Sequence, residues 1–450
     1  MRSESNLKLV TGQKAQGVGQ QGPEEYSFTW PGKQAAVAAA GEPARSVLVP
    51  VSVDPPGSRD ARHMFIEGDN LEALKLLRET HCSAVKMIYI DPPYNARREF
   101  VYADNFGDRW AWLSVMYPRL AVAWELLRDD GVIFVSIDDH EVHHLRMIMN
   151  EIFGEDNFVA QIVWQSRQSV QNDTDISVSH EYITVYAKNR RRSDRRLKGA
   201  NASRWNSVPG FAAYPLPLDP RRFSNPDGDP RGPWKADPFD APNIRPNLTY
   251  PIVNPTTGVE HWPPPGRCWR QNEASFRELL ADGRIVFGRT GTAGPQMKVF
   301  YREKEAFGKV ENTWFDGARH GTAARGTREI QELFDGRAVF DSPKPTALIR
   351  SLLRIATRGE DIVLDFFAGS CTTAHAVLNQ NREDGGGRRC MCIQAPEPTS
   401  ASSTARQMGY NTIAEIGLER IRRVIDRMTS AGADPGALAF QVLRLKDRAE

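Results

Sequence analysis

The 450-residue sequence has few cysteines and no long hydrophobic run. Five cysteines, a small and odd number, argue against a disulfide scaffold and predict a reducing, cytoplasmic environment. No apolar run approaches the ~20 residues that a membrane-spanning helix needs. Residues 1–21 are polar and rich in Gly and Gln, unlike the apolar core of a signal peptide. The composition therefore excludes small secreted and membrane-embedded classes of protein.

Motifs that would indicate several other functions are also missing. Cys390 and Cys392 lie two positions apart with no second Cys/His pair at zinc spacing nearby, so we predict no metal site. The helicase-type loop Gly-x-x-x-x-Gly-Lys-Ser/Thr is absent, which argues against a helicase driven by nucleotide hydrolysis. The net charge of +2 is too small to indicate nucleic-acid binding by itself. A prediction of nucleic-acid binding therefore depends on local clusters of positive charge.

One short apolar run ends abruptly in a carboxylate, two prolines and an aromatic ring. Residues 85–90 predict a buried strand, and Asp91-Pro92-Pro93-Tyr94 follows them. The prolines cannot continue a central strand, but their carbonyls remain hydrogen-bond acceptors. A carboxylate, fixed carbonyls and a π face suit a planar ring that carries an exocyclic amino group, with the ring stacked on Tyr94. The pattern predicts a site at the end of this strand.

A second copy of the pattern makes it less specific. Residues 47–53 are largely apolar and lead into Asp54-Pro55-Pro56, but Gly57 stands where the aromatic residue would be. A three-residue match therefore occurs twice in one chain. An ordinary strand-to-loop turn with a surface aspartate and tyrosine is the alternative interpretation of residues 91–94. The rest of the chain has to decide between the two interpretations.

A strand-to-helix junction in the last third of the sequence has the features of a nucleotide site. Small residues in its turn let a ligand approach the backbone at the helix N-terminus. Glu397 follows the next predicted strand, where a ribose hydroxyl is usually held, at more than the usual spacing of about 20 residues. Asp69, at an earlier junction, either caps a helix or accepts hydrogen bonds from a cofactor. The predicted cofactor contacts at the late junction are Asp365, Phe367, Ala368, Gly369, Ser370 and Thr372.

Two segments mix basic and aromatic residues. The loop at residues 95–107 suits a phosphate and a stacked base, unless it packs on its own domain. Residues 188–198 are densely basic and begin a stretch rich in Pro, Gly, Asn and Trp, which fits a surface that lies on nucleic acid. A solvated charge run beside a loop-rich domain is the alternative. The candidate nucleic-acid contacts are Arg97, Arg98, Phe100, Arg190, Arg191 and Arg192.

The rest of the sequence alternates predicted strands and helices, which indicates an α/β fold with a doubly wound, mostly parallel sheet. Residues 413–428 predict a final amphipathic helix. We divide the chain into an N-terminal extension, a core domain in two parts and a loop-rich insertion between those parts. The boundaries are 1–62 for the extension, 63–187 and 335–450 for the core domain, and 188–334 for the insertion.

In combination, the motifs resemble those of the amino-methylating DNA methyltransferases of the permuted β class. More narrowly, the chain is similar to the modification subunit of type III restriction–modification systems. Asp-Pro-Pro-Tyr at 91–94 precedes Phe-Ala-Gly-Ser-x-Thr-Thr at 367–373, with a variable domain between them. The resemblance covers most of the chain from about residue 24. Further stretches that carry it are residues 65–71, 131–139, 225–234, 340–345 and 412–423.

The resemblance implies a Rossmann-like methyltransferase, S-adenosylmethionine as methyl donor and the N6 of adenine in double-stranded DNA as acceptor. It implies catalysis at residues 91–94, adds Lys344 to the cofactor contacts and makes residues 188–334 a target-recognition domain. Cys371 departs from the family, which usually has Gly or another small residue there. A restriction subunit with helicase and nuclease activity and a second copy of the chain are the further partners that it suggests.

Three alternatives stay open at this point. Relatives that act on cytosine N4 more often carry Ser in place of the first Asp, so Asp91 favours adenine. A non-catalytic DNA-binding relative would lack methyl transfer. An enzyme that acts on RNA or on protein glutamine could use a similar Asn/Asp-Pro-Pro-Tyr site, but the large basic, aromatic insertion favours duplex DNA.

Overall fold

The computed structural model describes residues 27–57, 61–96, 106–172, 174–191, 209–305 and 307–448, and the structural statements below concern these residues. No helix among them is both long and apolar enough to cross a membrane. The strands, in chain order, are β1 (Ser46–Asp54), β2 (His63–Glu67), β3 (Val85–Ile90), β4 (Leu127–Ile137), β5 (Phe158–Trp164), β6 (Glu181–Ala187), β7 (Trp234–Pro238), β8 (Asp240–Pro242), β9 (Ile252–Val253), β10 (Glu260–His261), β11 (Arg267–Trp269), β12 (Ile285–Val286), β13 (Gln296–Phe300), β14 (Trp314–Phe315), β15 (Ile362–Asp365), β16 (Arg389–Gln394) and β17 (Phe440–Asp447). The helices are α1 (Lys33–Gly41), α2 (Asn70–His81), α3 (Arg109–Leu126), α4 (Val142–Phe153), α5 (Glu273–Ala281), α6 (Tyr301–Glu305), α7 (Gly317–His320), α8 (Ala323–Leu333), α9 (Thr346–Ala356), α10 (Thr372–Asp384), α11 (Thr404–Gln407), α12 (Ile413–Ser430) and α13 (Pro435–Leu438).

The central sheet has ten strands in the order β1-β17-β2-β16-β15-β3-β4-β6-β5-β14. Every neighbouring pair from β17 to β4 is parallel, as are β5 and β14. The antiparallel pairs are β1 with β17 and β6 with both of its neighbours. The α/β fold and mostly parallel sheet predicted from the sequence are therefore confirmed.

The strands that precede the two predicted motifs lie side by side. In β15 and β3, Val363 pairs with Met87 and Leu364 pairs with Ile88, in parallel. Because the carboxyl ends of parallel strands meet at one edge of a sheet, Asp91 and the loop after Asp365 emerge together. The two motifs, at residues 91–94 and 367–373, therefore begin next to each other at the same edge of the sheet.

The middle of the sheet is enclosed on both faces. All six residues of β3 are buried, and its side chains alternate between two hydrophobic layers. Met87 and Tyr89 pack in the layer that includes α9 and α10, whereas Ile88 and Ile90 pack in the layer that includes α2 and α3. Each such buried side chain contributes roughly 1.5–3 kcal/mol. A strand enclosed in this way exposes only its end, so the accessible chemistry lies where β3 stops.

The sequence analysis missed two strands at one edge of the sheet. β1 forms within the predicted N-terminal extension and pairs with β17, which follows the helix that we expected to be last. A bulge between Pro50 and Ser52 interrupts the pairing, and the middle of β1 is exposed. This irregular pattern hides the strand in the sequence. Strand β4 begins at Leu127, directly after helix α3 ends at Leu126.

The predicted insertion packs partly by itself and partly on the central sheet. A separate hydrophobic cluster consists of Phe239, Ile252, Trp269, Phe276, Ile285 and Phe287. Helix α5 begins after its cap Asn272. By contrast, Trp314 and Phe315 pair with β5 at the edge of the central sheet, and Phe211 joins the main core. The division at residues 188 and 334 stays a prediction, and the separately packed strands lie within residues 234–300.

Candidate active site

Asp91 lies where two clefts meet at the carboxyl ends of the parallel strands. The first, the glycine-loop cleft, has a volume of about 650 Å³, and its lining includes Phe340, Lys344, Asp365, Gly369, Gln394 and Glu397. The second, the tyrosine cleft, has a volume of about 1220 Å³, and its lining includes Pro92, Tyr94, Trp164, Arg167, His180 and Glu181. Asp91, Ser342 and Lys344 line both clefts. One carboxylate therefore faces two binding spaces.

Both oxygens of Asp91 have close polar neighbours. The Tyr94 hydroxyl lies 2.8 Å from Asp91 Oδ1 and 3.0 Å from Glu181 Oε2, so its single proton is shared between two carboxylates. Lys344 Nζ lies 2.8 Å from Asp91 Oδ2 and 3.3 Å from Glu181 Oε2. We call Asp91, Tyr94, Glu181 and Lys344 the carboxylate cluster. Glu181 and the contact between Lys344 and Asp91 were not predicted from the sequence.

The protonation states of the cluster follow from its burial and its charges. Burial by itself lowers the pKa of Lys344, but the charges of Asp91 and Glu181 outweigh it and hold that pKa well above the ordinary value. Burial, followed by the charges of the same two carboxylates, raises the pKa of Tyr94 well above its ordinary value. Lys344 is therefore an ammonium ion and Tyr94 a neutral phenol. Two carboxylates and one ammonium give the cluster a net charge of about −1.

Local structure explains how the cluster assembles. β6 is antiparallel to β4, so its first residue, Glu181, lies at the edge where β3 and β4 end. Lys344 stands between Pro343 and Pro345, whose rings restrict the backbone just before α9. Trp112 Nε1 donates to the Pro93 carbonyl at 2.8 Å, which fixes the turn after β3.

The loop between β15 and α10 forms the floor of the glycine-loop cleft. Gly369 has a φ of 49°, and a Cβ built there would lie 3.2 Å from the Phe340 ring. Gly369 N donates to Gln394 Oε1 at 2.6 Å. Asp365 accepts from Thr373 Oγ1 at 2.5 Å and from Phe367 N at 3.1 Å, and burial raises the pKa of this carboxyl well above its ordinary value. The loop is thus held from both of its ends.

A buried arginine holds the same loop from behind. Arg420, on α12, is fully buried, and its Nη1 donates to Ser370 O, Ser370 Oγ and Thr372 Oγ1 at 3.3, 3.0 and 2.7 Å. One turn earlier, a Cβ at Gly417 would lie 2.8 Å from Cys371 Sγ, so α12 approaches the loop closely. Cys371 itself is buried and has a φ of 58°. Its thiol faces α12, within the packed protein.

The structure brings most of the predicted cofactor contacts together. Those that line the glycine-loop cleft are Lys344, Asp365, Phe367, Ala368, Gly369, Ser370, Thr372 and Glu397. Asp69 does not line it. Its carboxylate caps α2 by accepting from Leu71 N and Glu72 N, and it pairs with Arg119 at 2.9 Å. Of the two roles considered for Asp69, the structure shows the capping role.

The predicted DNA contacts are placed only in part. Arg97, Arg98, Phe100 and Arg192 lie outside the described residues. Arg190 is exposed at the start of the insertion, and its Nη1 donates to the Phe158 carbonyl at 2.6 Å. Arg191 N donates to the Phe211 carbonyl at 2.9 Å. The roles of these residues stay predictions, as do the roles assigned within both clefts.

Several lining residues had little signal in the sequence. Gln394 ends β16, so the rule that ligands lie beyond strand ends could have indicated it. Phe340 lies in one of the stretches that carry the family resemblance, residues 340–345, but no role was predicted for it, and Glu181 belongs to none of these stretches. Arg420 lies on a helix that reads as an ordinary amphipathic segment.

Comparison with known proteins identifies the class to which this fold and site belong. Residues 85–426 match the family model described as DNA methylase, which covers well over half of the chain. The chain belongs to this family. The resemblance inferred from the motifs is confirmed, and the fold agrees with it.

Within the family, the chain is similar to type III modification subunits. It is 36% identical over 433 residues to the StyLTI Mod subunit of Salmonella typhimurium, over 89% of this chain and 63% of that protein. It is 31% identical to the EcoP15I Mod subunit of Escherichia coli, over 95% of this chain and 73% of that protein. The chain thus spans less than two thirds of the first relative. TTHA0409 of Thermus thermophilus, solved in complex with S-adenosyl-L-methionine, aligns with 84% of this chain and 99% of its own at 13% identity and a TM-score of 0.37.

Proposed function

We propose that the chain methylates the N6 amino group of adenine at specific sites in duplex DNA, as the modification component of a restriction–modification system. S-adenosylmethionine is the proposed methyl donor. The observation that carries the proposal is the position of Asp91, which follows β3 beside the strand that leads into the glycine loop and lines both clefts. A donor in one cleft and an amino group in the other would meet at this carboxylate. The similarity to named Mod subunits supports the same conclusion.

The residues of the glycine-loop cleft fit S-adenosylmethionine. Gly369 leaves open the space beside Phe340 that a Cβ would fill. Glu397, beyond the end of β16, would accept hydrogen bonds from the ribose hydroxyls, and the backbone of residues 367–369 would contact the donor closely. When bound, S-adenosylmethionine supplies a methyl group that is activated by its sulfonium. Asp365 keeps the loop in shape for this contact through Thr373 and the Phe367 N–H.

The tyrosine cleft fits a base that has left the DNA stack. Tyr94 would stack on the base, and Asp91 and the Pro92 carbonyl would accept hydrogen bonds from the amino group. The amino nitrogen gains positive charge as it attacks, and the nearby carboxylate stabilises that charge. The nitrogen would attack the methyl carbon directly while the bond from that carbon to the sulfonium sulfur breaks, so no side chain has to act as a nucleophile. The methylated nitrogen would then release one proton to water, and S-adenosylhomocysteine would be the second product.

The remaining roles form part of the same proposal. Residues 188–334 would recognise the target sequence, with Arg190, Arg191 and Arg192 mainly in contact with phosphates. Arg97, Arg98 and Phe100 would contact the DNA near the flipped base. A restriction subunit is the proposed partner for cleavage, and the cytoplasm is the proposed location. The homodimer rests on the resemblance alone.

Analysis of methylated DNA tests the proposal. Duplex DNA incubated with the protein and S-adenosylmethionine should gain N6-methyladenine within one recognition sequence, detected by mass spectrometry and sequencing. Formation of N4-methylcytosine would overturn the choice of acceptor. Absence of any methyl transfer to DNA, by a folded protein, would overturn the enzymatic assignment and leave the non-catalytic DNA-binding relative.

The phosphate contacts have a separate test. Replacing Arg190, Arg191 and Arg192 together by Ala should weaken binding to all DNA sequences and flatten the dependence of binding on salt. Binding of the cofactor should not change. A change in the methylated sequence without a change in the salt slope would contradict the phosphate assignment.

A further inference from the structure

The carboxylate cluster contains one acidic residue more than methyl transfer at Asp91 requires. Glu181 lies 3.3 Å from Lys344 Nζ and 3.0 Å from the Tyr94 hydroxyl, which are the same two groups that Asp91 binds. Resting on the function proposed above, we infer that Glu181 is a positioning residue. It shares the ammonium of Lys344 and the hydroxyl of Tyr94 with Asp91, and so leaves Asp91 able to accept a hydrogen bond from the target amino group.

Glu181 affects the net charge of the carboxylate cluster. Lys344 is only 9% exposed, so its attraction to the carboxylates is weakly screened. With Glu181 present, one ammonium is divided between two carboxylates, and the cluster keeps about one negative charge. Without that carboxylate, Asp91 would be the one acidic partner of Lys344 in the cluster and would be neutralised by it. A neutralised carboxylate stabilises a developing positive charge less well.

Glu181 also provides a second acceptor for the Tyr94 hydroxyl. A hydroxyl has one proton, and Asp91 Oδ1 and Glu181 Oε2 both lie within hydrogen-bonding distance of it. When an amino group reaches Asp91, the hydroxyl can turn its proton to Glu181 without losing a hydrogen bond. Glu181 thereby removes the cost of leaving a partly buried donor unpaired. The same exchange is open to Lys344, whose three protons can satisfy both carboxylates.

The position of Glu181 is fixed by the central sheet. Glu181 pairs in register with Trp164 across β5 and β6, so its backbone is part of the sheet. Trp164 is fully buried, and its Nε1 donates to the Gly321 carbonyl at 2.8 Å. Lys344 Nζ lies 5.8 Å from the Trp164 ring and 5.1 Å from the Tyr94 ring, which adds cation–π attraction. Glu181 is therefore held beside Lys344 by elements that do not depend on the ligands.

The test measures single-turnover methylation of duplex DNA by four proteins: the parent, Glu181→Gln, Lys344→Met and the double variant. Glu181→Gln should slow the methyl-transfer step by roughly 10- to 100-fold, the range expected for residues of one charge network. Its affinity for S-adenosylmethionine and DNA should change by less than about twofold, because the change acts on the chemical step. The double variant restores a charge of about −1. It should react at least about fivefold faster than Glu181→Gln alone.

A purely structural role for Glu181 would not produce this recovery of the rate in the double variant. If Glu181 only supported the fold or contacted the base, the second change would add to the damage, and the double variant would be as slow as Glu181→Gln or slower. Either that result or a parent-like rate for Glu181→Gln would overturn the inference. Glu303→Gln is the matched control, since Glu303 pairs with Arg284 in the insertion and lines neither cleft. Thermal melting of all the variants checks that they fold.

The two proposals fail differently. If the parent forms N4-methylcytosine or does not methylate DNA, the proposed function fails. If the parent forms N6-methyladenine and Asp91→Ala abolishes it, but Glu181→Gln reacts like the parent, only the role of Glu181 fails.

Discussion

The two Asp-Pro-Pro sequences of this chain have the same letters and opposite surroundings. Asp91 follows β3, in the middle of the sheet, with parallel neighbours on both sides. Asp54 ends β1, the edge strand, which is antiparallel to β17. Asp54 pairs with Phe440, the first residue of β17, so it lies at the edge of the sheet where the parallel strands begin. Asp91 therefore lies where the parallel strands end, and Asp54 lies where they begin.

The two surroundings differ in strand direction, and the site proposed at Asp91 depends on that difference. At the carboxyl ends of parallel strands, loops from β3 and β15 converge and enclose space between them. At the opposite edge, Asp54 lines neither of the two clefts. Its Oδ2 accepts from Arg422 Nη2 at 3.1 Å, in a pair whose arginine is well exposed. In the proposed function, the motif at residues 91–94 thus depends on its neighbours across the sheet.

We expect the largest difference between the two motifs when each carboxylate is removed in turn. Asp91→Ala should lower the single-turnover rate of methyl transfer on the order of 100- to 1,000-fold, because the developing charge on nitrogen loses its stabilisation. Asp54→Ala, the matched control, should stay within about twofold of the parent. Both should bind S-adenosylmethionine normally in an equilibrium assay. An Asp91→Ala protein that folds and reacts within about tenfold of the parent would refute the assignment.

A glycine near each motif provides a second pair of variants: Gly369 lines the glycine-loop cleft, and Gly57 follows Asp54-Pro55-Pro56. Gly369 and Gly57 both have positive φ, at 49° and 89°, so the backbone strain of a larger residue is common to both. A Cβ at Gly369 meets Phe340, whereas no atom of the described residues lies within 4 Å of one at Gly57. Gly369→Val should weaken cofactor binding about 5- to 150-fold by overpacking, and Gly57→Val should not. Calorimetric titration with S-adenosylmethionine measures the difference, and equal affinities for both variants would contradict it.

Two arginines on α12 provide the smallest expected effects. Arg420 faces the glycine loop and is fully buried, whereas Arg422 faces Asp54 and is well exposed. Arg420→Met leaves buried oxygens of Ser370 and Thr372 without their donor, and should lower the free energy of unfolding by about 1–3 kcal/mol. Arg422→Met should cost less than about 1 kcal/mol. Urea unfolding of both variants tests this order, and a reversal would show that the loop does not depend on Arg420.

The parts of the fold and site that could be predicted are those encoded in short stretches. β3 is a continuous apolar run, the cap of α2 is a single aspartate, and Gly369 lies in a turn between a strand and a helix. Lys344 and Asp91 are 253 positions apart, and their contact follows only from the completed sheet. Glu181 could not be predicted for the same reason, since it depends on the antiparallel direction of β6. β1 was missed because a bulge and exposed residues hide its pattern.

The pairing of β3 with β15 has a consequence for how the protein is made. Residues 85–88 lie beside residues 362–364, so the strand that carries Asp91 leaves the ribosome long before its neighbour. At the usual 5–20 residues per second, the delay is on the order of 15 to 55 s. During that interval β3 has an unpaired apolar edge, which chaperones bind and which promotes aggregation. A chain whose synthesis stops in the insertion lacks β15 and the loop after it, so it cannot form the glycine-loop cleft.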